Sequence, residues 1–393
     1  MARVYEVPLR LTPPVGFAGG PVRVEMDLPL LIRHLGEERA PDSRSVRLCA
    51  LEGGDLDAAY LSPAGGAPGL LVAELPAGGA RPLRLQVAAG GIAPSREDEA
   101  VSLKAGQHDL IITLDGQPFA TYRYNTRQPD LPRPYFHPII GPTGLSITQD
   151  GEFPGTRTGH FHHTGLVIAH QNFTDGNNWQ IGPQFSRINH VDFRTLQSGR
   201  RAGRFVERLD WLNKAGDALL LREHRSVLVY IRPLPSRYVD VDILLTAAEN
   251  PVTLNATPYH LLAIRVPDAM VPKADGGGLI LNSEGQRQDA TAGAPAKWLD
   301  FSGPLGNETV GVALFNAPTN FRHPTPFLNF ENETVGLAPT YREPYTIPAG
   351  GTLALRYRVL IHSGDAERAR VATEYEAYAM AVKAEIGPPT RVA

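Results

Sequence analysis

The stretch ALLLREHRSVLVYIRPLPSRYVDVDILLTA at residues 218–247 decides the fold. It contains two runs, 218–232 and 238–247, in which apolar and polar side chains alternate on either side of a proline-containing break. Alternation with a period of two is typical of strands that bury one face, and a turn-forming break separates such strands. The same rhythm returns in four further runs, at residues 204–213, 260–266, 309–316 and 352–362. The chain is therefore expected to be built mainly from strands.

Long helices do not alternate with these strands, so the pattern excludes Rossmann and TIM-barrel architectures. Gly and Pro number 39 and 35 among 393 residues, which fits many short strands joined by turns. Shorter alternating runs also occupy the first third of the chain, at residues 22–28, 83–87 and 110–114. We predict an all-β, antiparallel fold.

The proline-rich segment at residues 126–135 lacks this periodicity and is the predicted boundary between two units. Residues 1–128 are predicted to form a small N-terminal β-sandwich-like module, and residues 129–364 the main domain with the functional site. Residues 365–393 are predicted to form a C-terminal helix and tail, because strong helix formers follow Asp365, which is placed to cap the helix.

The charge balance argues against a nucleic-acid binder, since 38 Lys and Arg face 41 Asp and Glu and the net charge is -3. No apolar run approaches the roughly 18 residues that a membrane helix needs, and the N-terminus lacks the apolar stretch of a signal peptide. The only cysteine, Cys49, excludes an internal disulfide and cysteine-rich metal sites. We expect a cytoplasmic protein without membrane or nucleic-acid partners, unless a signal peptide has been removed.

Four histidines fall within eleven residues of one segment: His160, His162, His163 and His170. If the segment is extended, His160, His162 and His170 project to one face and His163 to the other. Imidazole titrates near neutrality, so several in one cleft can supply an acid, a base and hydrogen-bond donors. Adjacent imidazoles are costly to bury without partners, which favours a functional role for the first three. His170 ends an apolar run and is expected to be a core residue.

Two histidines at positions i and i+2 of a strand, here His160 and His162, could also bind a metal ion. The sequence does not indicate where a third ligand would come from. No cofactor is required by the sequence, and a divalent metal stays an open alternative. His137 and Arg157 lie close by along the chain and are candidate substrate contacts, as is His260.

A sugar site also needs carboxylates, planar hydrogen-bonding groups and an aromatic face. Glu223 is our first choice for a carboxylate partner of the histidines, and the alternative is a solvated strand face with Arg222 and Arg225. Asp240 and Asp242 share a strand face, for which an exposed polar face is the better explanation. Arg265 ends an apolar strand and could hold a substrate oxygen. The remaining candidates for substrate binding are Trp298 as a stacking face and the polar loop residues Asn320, Arg322 and His323.

Several of these motifs resemble the bacterial domain family called methane oxygenase PmoA-like. The resemblance covers about residues 120 to 365 and departs from the family pattern at Thr164, where a basic residue is frequent, and at Phe327, where Trp is usual. A copper oxygenase is not expected, because the membrane subunit of methane monooxygenase is a bundle of apolar helices and this chain has none. The matching stretches are RPYFHPIIGPTGL at residues 133–145, HFHHTGL at 160–166, LLAIRV at 261–266, KWLDFSG at 297–303 and NFRHPTPF at 320–327.

The resemblance implies an antiparallel β-supersandwich similar to galactose mutarotase and to several sugar lyases and hydrolases. It also implies a role in carbohydrate catabolism. Fold analogy does not by itself determine a reaction.

The leading hypothesis is a carbohydrate-active enzyme, a lyase or hydrolase, that cleaves a glycosidic bond in a small-molecule or oligosaccharide substrate, including oxidised or keto sugars. His162 or His163 would act as base, a second imidazole or Glu223 as acid, and Arg265 with His323 would hold the oxygen that gains charge. An epimerase or mutarotase is the first alternative, and a non-catalytic carbohydrate-binding protein is the second. A homo-oligomer is compatible with free sheet edges in the N-terminal module.

Overall fold

A computed structural model describes residues 3–37, 45–51, 54–89, 100–125, 132–150, 161–231, 236–272, 277–330 and 333–392 of the chain. These residues form antiparallel strands joined by turns, with two α-helices among the described ranges. The all-β, antiparallel prediction is confirmed.

The described residues in the first part of the chain form seven strands and helix α1, whose first turn is capped by the Asp27 side chain. The elements are β1 (Arg3–Thr12), β2 (Gly19–Glu25), α1 (Leu28–Arg33), β3 (Val46–Ala50), β4 (Asp55–Leu56), β5 (Ala58–Leu61), β6 (Leu70–Pro76) and β7 (Arg81–Ala89).

In the middle of the chain, the described ranges contribute twelve strands and a short 3₁₀ turn. They are β8 (Val101–Ala105), β9 (Asp109–Leu114), β10 (Gln117–Arg123), β11 (Tyr135–Ile139), β12 (Leu166–Ile168), β13 (Ile188–Gln197), β14 (Ala202–Leu212), β15 (Leu219–Ile231), β16 (Arg237–Ala247), β17 (Val252–Leu254), β18 (Leu262–Arg265) and β19 (Leu279–Asn282), followed by the 3₁₀ turn Gln288–Thr291.

The last part holds nine strands and helix α2 within the residues that the structure describes. They are β20 (Pro295–Ala296), β21 (Trp298–Leu305), β22 (Glu308–Asn316), β23 (Thr325–Phe330), β24 (Thr334–Leu337), β25 (Tyr345–Ile347), β26 (Thr352–Ser363), α2 (Val371–Ala379), β27 (Lys383–Ile386) and β28 (Thr390–Arg391).

Two large sheets pack face to face and form the main sandwich. The nine-stranded sheet has the order β20-β23-β24-β18-β12-β11-β10-β9-β8, and the eight-stranded sheet has the order β13-β14-β15-β16-β26-β22-β21-β19. One apolar core draws on both sheets, since it joins Leu166 and Ile264 of the first to Val227 and Val241 of the second. Burial of such side chains is the main stabilising contribution, about 1.5–3 kcal/mol for each.

The stretch at residues 218–247 forms β15 and β16, which pair antiparallel at the centre of the eight-stranded sheet with Val227 opposite Val241. Both residues face the core, whereas Arg222 and Leu244 face outward and are more exposed. The alternation in the sequence is therefore realised as one buried and one outer face.

The buried face of β15 also carries charges, and this corrects the prediction for Glu223. Glu223 is fully buried between the two sheets, where it pairs with Arg225 at 2.6 Å and accepts a hydrogen bond from the Trp211 indole at 2.7 Å. Arg225 also donates to the Tyr122 hydroxyl at 2.9 Å. The solvated-face alternative with Arg225 is equally wrong, because residues 223 and 225 share the inward parity of Leu221 and Val227.

The first seven strands build a smaller sandwich. A sheet in the order β27-β1-β7-β3-β4, with β28 also on β1, packs against the three-stranded sheet β2-β6-β5. Strands β8 to β10 belong instead to the nine-stranded sheet, where β10 pairs directly with β11. The predicted boundary at residues 128/129 therefore cuts through one sheet, because the proline-rich segment connects two antiparallel neighbours and does not separate domains.

The C-terminus differs in detail from the predicted helix and tail. Asp365 accepts a hydrogen bond from the Arg368 backbone at 2.9 Å and so caps a turn, but Arg370 is left-handed with φ 55° and helix α2 begins only at Val371. After α2 the chain adds β27 and β28 to β1 of the N-terminal sheet. The tail is therefore part of the N-terminal module.

The smaller sandwich packs on the outer face of the eight-stranded sheet through an apolar cluster, which joins Leu61 to Leu228, and through ion pairs. Arg23 of β2 contacts Asp240 at 3.2 Å and Asp242 at 2.7 Å, and Arg358 contacts Asp240 at 2.6 Å. Burial alone would raise the pKa of Asp242, but Arg23 and Arg356 hold it below the usual value. Asp240 and Asp242 share one face as predicted, yet Asp240 is buried under the module and not exposed.

Candidate functional site

Buried polar side chains gather on the outer face of the nine-stranded sheet, around β12, β18 and β24. Leu262 and Ile264 of β18 point into the core, so the alternate residue Arg265 points to the other face. There it meets His163 and Glu333, each 2% exposed. We call His162, His163, Arg265 and Glu333 the histidine site.

An ionic chain holds His163 in place. Its Nδ1 lies 3.5 Å from Glu333 Oε1 and 3.2 Å from the Thr334 hydroxyl. The second Glu333 oxygen lies 3.5 Å from Arg265 Nη2, and Arg265 Nη1 donates to the His163 carbonyl at 3.1 Å. In such a buried setting the charges of Glu333 and Arg265 interact more strongly than in water, which fixes the carboxylate beside the imidazole.

His162 stands at the more open side of this cluster and is only partly buried. Its ring contacts the His163 ring edge-on, with centroids 4.4 Å apart. Its carbonyl accepts a hydrogen bond of 2.6 Å from Arg133, whose guanidinium lies 5.7 Å from the Trp179 ring. Burial lowers the pKa of Arg133 to about 9, which still leaves it charged at neutral pH.

The structure corrects the predicted geometry of the histidine segment. Strand β12 begins only at Leu166, so His162 and His163 lie in a turn and contact each other instead of pointing to opposite faces. The turn depends on Gly165, whose φ is 39° and whose N–H donates to Gln149 O at 2.9 Å. His160 and Arg157, also predicted for the site, lie outside the described residues.

Gly165→Ala is expected to disrupt the histidine site. A Cβ at this position would overlap the Phe136 carbonyl oxygen, in addition to the strain of a positive φ. We expect a loss of about 2–4 kcal/mol in the free energy of unfolding, measured by urea denaturation. Gly144→Ala is the matched control, because Gly144 also has positive φ but open space around its Cβ, and an equal loss in both variants would contradict the overlap.

An aromatic wall flanks the histidines and was missed by the sequence analysis. Tyr259 and Phe330 stack at 5.2 Å with 16° between their planes, and both are partly exposed. The Phe330 ring lies 5.9 Å from the His163 ring. The predicted stacking residue, Trp298, is instead buried in a cluster with Tyr375 of α2, on the outer face of the other sheet.

His260, predicted to contact substrate, is instead a buried structural residue. Its Nε2 donates to the Leu328 carbonyl at 3.1 Å, and its ring packs 5.5 Å from Trp179. Burial lowers the pKa of His260 to about 3. His170 is a core residue as predicted: it is 1% exposed, lies 2.9 Å from the Thr340 hydroxyl, and burial lowers its pKa to about 4.

These two buried histidines predict a pH dependence of stability. In the unfolded chain each histidine takes up a proton below about pH 6.5, whereas the folded protein resists this until about pH 4 for His170 and pH 3 for His260. Their contribution is fully present above pH 6.5 and falls by up to about 1.4 kcal/mol per pH unit and per histidine between pH 6 and 4. Urea denaturation at several pH values should show a shallower slope for His170→Gln, and an unchanged slope would contradict this account.

A second polar group lies one strand away on the same face. Asp150 accepts hydrogen bonds from the Tyr135 hydroxyl at 2.8 Å and from Arg123 at 3.2 Å. His137, a predicted substrate contact, bonds the Thr148 hydroxyl at 3.0 Å, and burial lowers its pKa while Asp150 opposes that shift. Tyr135 pairs with Val167 of β12, which places this group beside the histidine site.

The predicted polar loop is not part of this site, because its side chains bond within their own surroundings. Asn320 donates to Asn316 and to the Arg356 carbonyl, each at 2.7 Å. Arg322 donates to the carbonyls of Pro339 and Glu343, and His323 lies 3.1 Å from the Asn316 amide. Arg322 therefore ties the loop to the segment between β24 and β25, and His323 ties it to the end of β22. Glu223 lies in the core between the sheets and is likewise absent from the histidine site.

Among the described residues no three His, Cys, Asp or Glu side chains are placed to hold a metal ion. The predicted metal pair includes His160, which falls outside those ranges, so that alternative stays a prediction. Within the same ranges, neither helix is long and apolar enough to cross a membrane.

A protein-family profile matches residues 109–376, and its description reads "Family of unknown function (DUF6807)". No curated protein matches the chain. Among solved structures, an alpha-mannosidase from Enterococcus faecalis V583 is similar with a TM-score of 0.39 and 9% identity, over 98% of this chain and 47% of that one. This chain thus spans about half the length of the mannosidase.

Proposed function

The chain belongs to the family of unknown function DUF6807, and from the geometry of its histidine site we propose that it is a carbohydrate-active enzyme. The observation that supports this is a partly open imidazole, His162, in contact with a buried imidazole, His163, which is held by Glu333. This arrangement is suited to proton transfer, because the accessible base contacts a second imidazole that a carboxylate orients.

We assign His162 the role of the group that exchanges a proton with the sugar. In cleavage by elimination, His162 takes a proton from the carbon beside a carbonyl, and the electron pair left on that carbon forms a carbon–carbon double bond as the bond to the leaving oxygen breaks. The leaving oxygen receives its proton from the imidazolium form of His162. Glu333 takes the carboxylate role that the sequence analysis gave to Glu223, and acts by positioning His163, because both are buried.

Tyr259 and Phe330 supply the binding face in this proposal. The apolar face of a sugar ring packs well on aromatic side chains, and the stacked pair presents such a surface beside the histidines. Arg265 is assigned a positioning role, because its guanidinium contacts Glu333 and donates a hydrogen bond to the His163 carbonyl. Epimerisation beside a carbonyl would use the same base and stays the alternative reaction.

The test is a screen of glycosides and their keto derivatives by mass spectrometry and NMR. Wild type is compared with His162→Ala and with His108→Ala, a partly buried histidine in the turn before β9, each before and after chelator treatment. We expect a product with wild type and His108→Ala that is lost with His162→Ala. The mass of the product separates hydrolysis, elimination and epimerisation, and loss on chelation would indicate a metal.

A different outcome would overturn the proposal. If no sugar is altered by wild type, yet wild type and His162→Ala both show ligand-induced thermal shifts, the site binds carbohydrate without catalysis.

A further inference from the structure

A cavity of about 660 Å³ lies on the outer face of the eight-stranded sheet, and the histidine site on the other sheet does not contribute to it. Its floor is formed by outward residues of β14, β15, β16 and β26. Its walls come from the Gly65–Ala67 turn of the N-terminal module and from Thr319 and Asn320. The volume is within the range of small-molecule sites, about 300–1,000 Å³.

The polar groups on the floor are placed in register by the sheet. Ser226 lies opposite Asp242, and Asp242 lies opposite Arg356 on the next strand. His224 precedes Ser226 by two residues and therefore shares its face, roughly 6–7 Å away. We call the cavity with His224, Ser226 and Arg356 the donor cavity.

Each of these three residues has a hydrogen-bond donor that meets no acceptor among the described residues. Arg356 donates its Nε–H to Asp242 at 3.1 Å, while neither of its Nη groups meets an acceptor in the described ranges. The Ser226 hydroxyl and the His224 ring also make no hydrogen bond to the described residues. Asp242, the one carboxylate in the lining, is already occupied by Arg23 at 2.7 Å and by Arg356.

The surrounding charge favours an anion. Burial is the main cause that lowers the pKa of His224, and the charges of three nearby arginines lower it further. Two aspartates partly neutralise them, with Asp192 paired to two of the arginines and Asp210 to the third. The arginines are Arg194, Arg208 and Arg222. The cavity thus combines unused donors with a local excess of positive charge.

We infer that the donor cavity binds a small carboxylate-bearing polyol, a sugar acid. The carboxylate contacts the Arg356 Nη groups and His224, since guanidinium groups favour planar, charged acceptors. Ser226 bonds a hydroxyl, and the carbon skeleton packs on Leu244, which is 38% exposed, and on Val206. The inference is independent of the proposed reaction at the histidine site.

Isothermal titration calorimetry with D-glucuronate, D-gluconate, D-glucose and acetate tests this inference. We expect wild type to bind a sugar acid at least tenfold more tightly than glucose or acetate. Arg356→Gln should weaken that binding at least tenfold. Arg84→Gln is the matched control, because it removes one guanidinium charge from a partly exposed pair with Glu6 in the N-terminal module without touching the cavity lining, and it should change binding less than threefold.

Two further variants keep the test decisive. Ser226→Asp places a carboxylate on the cavity floor and should abolish sugar-acid binding even if Arg356→Gln folds poorly. His162→Ala should leave this binding unchanged, which separates the donor cavity from the histidine site. No binding at 10 mM ligand, equal affinity for glucose and glucuronate, or loss of binding only in His162→Ala would overturn the inference.

Discussion

Arg225→Met should lower the free energy of unfolding by about 3–5 kcal/mol, because it leaves a buried carboxylate without its cation. Arg225 is 1% exposed and contacts Glu223 and the Tyr122 hydroxyl in the middle of the core. A second carboxylate, Glu207, lies in the same cluster with His190 at 2.6 Å, and burial raises the pKa of Glu207. Methionine fills a similar volume, so the expected loss comes from the unpaired charge and not from a cavity.

Arg222→Met provides the matched control on the same strand. Arg222 faces outward, is 46% exposed and lies 3.6 Å from Asp210, a geometry in which an ion pair contributes less than about 1 kcal/mol. Both variants are compared by urea denaturation at pH 7. Losses that agree within 1 kcal/mol would show that the interior cluster contributes no more than a surface pair.

The buried cluster around Arg225 shows which features of the fold strand periodicity can predict. The alternation of residues 218–247 predicts β15 and β16, and its parity puts residues 223 and 225 on the same face as Leu221 and Val227. Applied strictly, that parity places both charges inside. Charged residues are usually exposed, which favours the opposite placement. The interior pairing of Arg225 with Tyr122 joins residues 103 positions apart, which a local pattern does not reveal.

The candidate site was predictable only where its parts are close along the chain. The clustering of histidines indicated His162 and His163, but their common side depends on the turn at Gly165. Glu333 lies 170 residues beyond His163 and reaches it only because β24 pairs with β18, which pairs with β12. Tyr259 and Phe330 meet because β23 pairs with β24 and β24 pairs with β18, so neither the carboxylate nor the aromatic wall leaves a local signal.

Glu333→Gln should reduce turnover in the proposed sugar reaction by on the order of 10²-fold while changing KM little. The amide keeps the shape of the side chain but removes the charge that holds the Nδ1 of His163 and the guanidinium of Arg265. Glu333→Asp retains the charge at a longer distance and should restore part of kcat. A purely structural role would instead give both variants the same loss, in proportion to their loss of stability.

The kinetic comparison requires folded protein, because Glu333→Gln leaves Arg265 with a weaker partner in a buried setting. Rates are therefore measured well below the Tm of each variant. Glu343→Gln is the control: this carboxylate pairs with Arg322 but its side chain is 76% exposed, and its loss should leave kcat within twofold of wild type. Wild-type turnover in a folded Glu333→Gln protein would show that Glu333 has no part in the mechanism. His162 would then act without a carboxylate that positions His163.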